Sequence, residues 1–192
     1  KVFGYDWTRG RMDHAPHPFE NSFSVNDVRI TNRFEPENPL ATIFSAMHES
    51  GHAMYEQGIN PAYERTPLAG GTSLAIHESQ SRMWENLVGR SRGFWSFFFP
   101  RLEARFPQAL AGVDAEAFYR AVNRCGPSLV RVEADELTYN LHVVIRFEME
   151  QAMVNTTVAV ESLPRMWNEK YKAYLGITPP TDSDGILQDI QS

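Results

Sequence analysis

His48-Glu49-Ser50-Gly51-His52 sets two imidazoles four positions apart, with a carboxylate beside the first. On an α-helix of 3.6 residues per turn that spacing returns both histidines to one face, where they can reach a single metal ion while Glu49 points at the same space. This is the first half of a zinc peptidase site, with Glu49 able to take a proton from water. A solvated helix can carry the same letters by chance, and two features weigh against that. Leu40, Ile43, Phe44, Met47, Met54 and Tyr55 flank the pair, so the helix is expected to be buried on that side. Two imidazoles and a carboxylate buried without partners would be costly.

A tetrahedral catalytic zinc takes three protein ligands and keeps its fourth position for water. The next candidate stretch, Ser73 to Leu87, reads as a helix with Leu74, Met83, Trp84 and Leu87 on its apolar side. It follows a breaker-rich connection from Gly58 to Gly71 that contains Pro61, Pro67 and Gly70. A helix, a turn and a returning helix bring Glu78 opposite the two histidines. His77 is the rival ligand; only one of these neighbours can face the metal squarely, and the other supports a ligand from behind or packs in the core. Arg82, one turn beyond Glu78, is placed to fix the ligand carboxylate or a neighbouring acid. Asp27 and Arg29 share one face of a strand, and one of them can orient a ligand imidazole through its second nitrogen.

His48-Glu49-Ser50-Gly51-His52 followed by His77-Glu78-Ser79-Gln80-Ser81-Arg82 resembles the thermostable carboxypeptidase family, also called carboxypeptidase Taq, of zinc metallocarboxypeptidases. His17-Pro18-Phe19, Asp27-Val28-Arg29-Ile30-Thr31 and Val130-Arg131-Val132-Glu133-Ala134-Asp135 are similar to further landmarks of that family and stand in the same order. The resemblance covers essentially all 192 residues. It implies that His48, His52 and Glu78 bind the metal and that Glu49 is the general base. It also implies a homodimer that removes C-terminal residues from peptides. Arg131 is thereby indicated as the receptor for a free C-terminal carboxylate, which a planar guanidinium matches with two parallel hydrogen bonds, and His17 as its helper. Read without the family, Arg131 pairs with Glu133 or Asp135, and His17 caps a turn before Pro18.

Gly185-Ile186-Leu187-Gln188-Asp189-Ile190 resembles the start of a family motif that continues with histidine and tryptophan, whereas Gln191 and Ser192 follow here. Family members are also considerably longer at both ends. The chain is expected to be one catalytic domain, residues 1–192, the site-bearing slice of a longer helical peptidase, and to be weak or inactive alone.

The composition, 42% hydrophobic and 22% charged, is that of a globular protein. A net charge of −6 argues against a nucleic-acid partner, which would need clustered positive charge. No apolar run reaches membrane-span length; Phe94 to Phe99 is too short and Pro100 follows it. Cys125 is the only cysteine, which fits a reducing, cytoplasmic setting and leaves it a small buried residue beside Gly126 and Pro127. Val2 to Phe34 reads as turn-rich with short strands forming a small sheet at the rim of the site. Helices are predicted near Leu40–Glu56, Gly71–Gly89, Trp95–Phe106, Ala115–Asn123, Glu133–Val154 and Ser162–Tyr174. The fifth carries a core stripe of Leu137, Leu141, Val144, Ile145 and Met149, with His142 packed or half-exposed. Residues 176–185 read as a linker. The fold expected is mainly α, a zincin-like helical metallopeptidase core with a small β-sheet near the active site. Two imidazoles and a carboxylate accept Zn2+, and also Co2+ or Mn2+. The competing functions are an endopeptidase of the same metal class and a non-catalytic metal-binding fragment or interaction module.

Overall fold

The computed structural model describes residues 3–155 and 158–191. These contain a three-stranded sheet and six α-helices, and no helix among them is long and apolar enough to cross a membrane. The chain divides into two compact units, residues 1–119 and 120–192.

In the first unit the strands are β1 (Met12–His14), β2 (Glu20–Ser24) and β3 (Asp27–Asn32). β3 is central, parallel to β1 and antiparallel to β2, with a register shift between Ser22 and Ser24. Its alternation sends Val28, Ile30 and Asn32 inward, all fully buried, and leaves Arg29 outside. The inward residues meet helix α1 (Pro39–Gln57), where Ala53 joins Tyr5, Val28 and Ile30 in one core. Asn38 caps α1 by accepting from Ala41 N, and Pro39 occupies its first turn, where a missing N–H costs nothing. At the other end the Gln57 amide exchanges two hydrogen bonds with the backbone of Asp6, at 2.9 and 3.0 Å.

The connection after α1 starts at Gly58, makes a short 3-10 turn at Pro61–Tyr63, and holds Arg65 in the left-handed region at φ 61°. Ser73 then caps α2 (Leu74–Arg82), accepting from Ile76 N at 3.2 Å, and the helix runs into a π-helical turn at Met83–Val88. Leu74 and Leu87, assigned by periodicity to an apolar side, are instead exposed. Helix α3 (Arg92–Arg105) passes through Pro100 and begins earlier than predicted, because the Ser91 hydroxyl accepts from Phe94 N. Its Trp95 and Phe99 pack on Phe118 of α4 (Ala115–Val122), while Phe97 faces solvent.

The second unit is built on α5 (Tyr139–Val154) and α6 (Leu163–Leu175). Ile145 and Met149 pack with Trp167, Tyr171 and Leu175. The helix predicted from Glu133 starts only at Tyr139, because the Asp135 carboxylate accepts from Leu137 N and Thr138 N and turns the chain there. Its buried face is Thr138, His142, Ile145 and Met149, so Leu137 and Val144 of the expected stripe lie outside. His142 is fully buried, joined through Nδ1 to the Tyr171 hydroxyl, which itself donates to Leu129 O at 3.0 Å. Residues 176–185 are no free linker: Gly176 ends α6 at φ 73°, and Ile177 and Ile186 pack on its core.

Candidate metal centre

Helix α1 presents His48, Glu49 and His52, and α2 presents His77 and Glu78. What joins the helices is Gly51, between the two histidines: a Cβ there would lie 2.6 Å from Gln80 O and from Ser81 Cα. Only a residue without a side chain lets two backbones approach so closely. Ser81, at that contact, is completely buried. The approach carries Glu78 onto the histidine face of α1.

There the Nε2 atoms of His48 and His52 are 3.2 Å apart, and Glu78 Oε2 lies 3.5 Å from the first and 3.3 Å from the second. These are the only three such donors among the described residues that all lie within 4.8 Å of one another. Bonds of about 2.0–2.1 Å directed to the corners of a tetrahedron set ligand atoms about 3.3–3.4 Å apart. The side chains therefore already hold the spacing of three corners around a small divalent cation. The atoms not facing that point are engaged elsewhere. His48 Nδ1 meets Glu85 Oε2 at 2.8 Å, His52 Nδ1 meets His77 Nδ1 at 2.6 Å, and Arg82 Nε donates to Glu78 Oε1 at 2.8 Å. Arg82 Nη1 also donates to Glu85 Oε2 at 3.0 Å, tying the two carboxylates together. The Ser81 hydroxyl, 3.1 Å from Glu78 Oε2, donates to Glu78 O at 2.7 Å. The donor set, its spacing and its outer partners all fit a metal ion.

The electrostatics point the same way. Burial pushes the His48 imidazole down, but the Glu78 and Glu85 carboxylates outweigh it and raise its pKa to about 9. Burial pushes Glu78 up, yet hydrogen bonds to His48 and His52 hold it far below the usual carboxylate range. A site this negative takes up a cation, and a proton on His48 is the simplest one. Glu49 is buried beside the triad, and that burial lifts its pKa to about 7, with Glu78 and Glu85 adding to the rise against the opposing pull of His48.

The other residues singled out in the sequence fall in different places. Asp27 and Arg29 bond each other twice at 2.7 Å on the exposed side of β3, with Arg29 over the Phe23 ring at 5.0 Å. Their carboxylate and guanidinium are engaged with each other; the carboxylate behind His48 is Glu85, which the sequence reading missed although it sits two helical turns after Glu78. His17 is exposed, and its backbone carbonyl accepts from the Thr31 hydroxyl at 3.1 Å. Arg131 belongs to the second unit, where its Nη1 donates to the Tyr139 hydroxyl at 2.8 Å. Asp135, one of its two expected partners, serves the backbone instead.

Comparison with known proteins meets this geometry. Residues 1–191 match the carboxypeptidase Taq (M32) metallopeptidase family. The chain is 50% identical over 187 residues to thermostable carboxypeptidase 1 of Thermus thermophilus, covering 97% of this chain and 36% of that protein. It is 46% identical over 187 residues to carboxypeptidase 1 of Bacillus subtilis, again covering 97% of this chain and 37% of the relative. The crystal structure of an M32 carboxypeptidase from Deinococcus radiodurans R1 superposes with a TM-score of 0.94 at 51% identity, over 98% of this chain and 38% of that one. The chain thus spans a little over a third of the length of its relatives. A family match over residues 1–191, with relatives 46% and 50% identical over 97% of the chain, places the chain in the carboxypeptidase Taq (M32) metallopeptidase family.

Proposed function

We propose that the protein containing this chain is a metal-dependent carboxypeptidase that removes residues from the free C-terminus of peptides. The observation that carries the proposal is the convergence of His48 Nε2, His52 Nε2 and Glu78 Oε2 at 3.2–3.5 Å with a buried carboxyl, Glu49, adjacent. Zn2+ is the ion proposed, with Co2+ or Mn2+ able to use the same donors. When bound, such an ion supplies a Lewis acid and brings the pKa of water from 15.7 toward about 7.

The chain's own residues do the rest. Glu49, buried beside the triad, takes a proton from the attacking water and delivers it to the leaving amine. Arg82 and Glu85 hold Glu78 and His48 in place. Arg131 receives the substrate's terminal carboxylate, aided by His17, a role supported by the family match and by guanidinium geometry. A cytoplasmic location and a homodimer belong to the same proposal, from the lone Cys125 and the family.

The test compares a peptide with a free C-terminus against its amidated counterpart, using the full-length protein and its Glu49→Gln variant. Turnover is expected only on the free end, and Glu49→Gln is expected to lose about 10²–10⁴-fold in rate while keeping its metal. Equal cleavage of the amidated peptide would make the protein an endopeptidase. Metal binding without turnover on either peptide would leave the non-catalytic reading.

A further inference from the structure

The two histidine ligands are supported from behind by different chemistry. His48 rests directly on a carboxylate, Glu85. His52 rests on another imidazole: His77 Nδ1 is 2.6 Å from His52 Nδ1. His77 Nε2, on the far side of its ring, meets Glu56 Oε1 at 2.8 Å and has Glu20 Oε2 at 3.9 Å. An ionised carboxylate only accepts hydrogen bonds, so the contact with Glu56 places the His77 N–H on Nε2. When His52 Nε2 gives its lone pair to a cation, the ring proton stands on Nδ1 and is donated to His77 Nδ1 across 2.6 Å. His52 Nε2 faces the point shared with His48 and Glu78.

The far end of this sequence of bonds is built in. Glu56 is 7% exposed, and its Oε1 also accepts from Gly71 N at 2.8 Å. A Cβ on Gly71 would lie 2.4 Å from His77 Cδ2 and 3.0 Å from Glu56 Oε1, so glycine is required to close over both. From β2, Glu20 adds a second carboxyl beside His77 Nε2; its side chain is 8% exposed and its Oε1 has no hydrogen-bond partner.

We propose that Glu56 and His77 are positioning residues, a directed hydrogen-bond chain from Glu56 through His77 to His52 that locks His52 in its Nδ1–H tautomer and presents Nε2 to the metal. The proposal rests on the ligand assignment above. Its physical content is that the Glu56 oxygen acts through the His77 ring, so the orientation of His52 is set without placing another carboxylate against it.

The test uses the full-length protein labelled with 15N-histidine, in metal-free and Zn2+-loaded forms. In the Zn2+-loaded form, wild-type His52, assigned by comparison with His52→Gln, is expected to show a protonated Nδ1 and an unprotonated Nε2; the opposite tautomer overturns the proposal without recourse to any further variant. Zn2+ affinity, measured by competition with a chromophoric chelator, is expected to fall about 10–100-fold in Glu56→Ala and in His77→Phe. Glu56→Gln keeps an oxygen for both donors and is expected to stay within a few-fold of wild type. A Glu56→Gln variant as weak as Glu56→Ala would refute the hydrogen-bonded chain, as would full affinity in Glu56→Ala and His77→Phe. His52→Ala, run alongside, separates the two claims: retention of the metal without His52 defeats the ligand assignment itself.

Discussion

Replacing Gly51 by alanine tests whether the contact between the two helix backbones sets the metal centre. The added Cβ would begin 2.6 Å from Gln80 O and Ser81 Cα, whereas ordinary contact starts at 3.4 Å. Both neighbours are backbone and cannot rotate away, so α2 must retreat by about 0.8 Å, the difference of those distances. Glu78 lies three residues before Ser81 on the same short helix and moves with it. Metal sites tolerate about 0.2 Å in ligand distance, and a misplacement near 1 Å costs on the order of 100-fold in a positioned site. We therefore expect Gly51→Ala to weaken Zn2+ binding by about 10–100-fold and to destabilise the metal-free protein by about 1–3 kcal/mol, the usual cost of overpacking. Chelator competition gives the first quantity and urea unfolding in EDTA the second. A variant with affinity within twofold of wild type and an unchanged urea midpoint would show that α2 is not held by this contact.

Two further outcomes follow from the charges. Because His48 titrates at about 9 in the metal-free site, it is protonated at pH 7, so metal binding should release about one proton and tighten as pH rises toward 9; calorimetry in buffers of different ionisation enthalpy reads this, and a slope of zero would contradict it. In the second unit, Asp135 is pulled from 3.8 to about 2, against its partial burial, by hydrogen bonds from Gly126, Thr138 and Leu137. A depressed carboxyl stabilises the fold above its unfolded pKa and loses that contribution as pH falls through the folded one. Asp135→Asn is thus expected to cost about 0.5–1 kcal/mol at pH 7, reduced for solvent contact, with the difference from wild type shrinking between pH 4 and about 2 in urea titrations. A constant difference across that window would contradict the assignment.

The parts of this protein that can be read from its sequence are the ones in which spacing alone decides the geometry. His48, Glu49 and His52 sit on one helix, and helical pitch suffices to bring them to one face. Glu78 and His77 are visible as a pair of candidates, but which of them turns inward depends on where Gly51 lets α2 lie. Glu85, Glu56 and Glu20 escape a reading of the sequence because each is chosen by tertiary placement, two of them behind histidines and one from the neighbouring sheet. The α5 stripe is misread for a related reason. Its buried face includes Thr138 and His142, polar residues that hydropathy places outside but that Asp135 and Tyr171 satisfy inside. Likewise, nothing in the letters of Glu133 to Thr138 says that Asp135 will bind backbone amides ahead of it instead of continuing a helix.

The divided origin of the three donors has a mechanical consequence. Two come from α1 and one from α2, and the chain between them is the long excursion through Pro61–Tyr63 and the left-handed Arg65. A bound cation is thus a removable cross-link that closes this loop, and its binding free energy is shared with the folding of the segment it spans. At a free metal concentration 100 times the dissociation constant the clasp adds about 2.7 kcal/mol to the first unit. Withdrawing the ion leaves α2 seated by the Gly51 approach and by the hydrogen bonds of His77 and Gly71 to α1, so the stretch from Gly58 to Ser73 is expected to loosen first when the metal is removed.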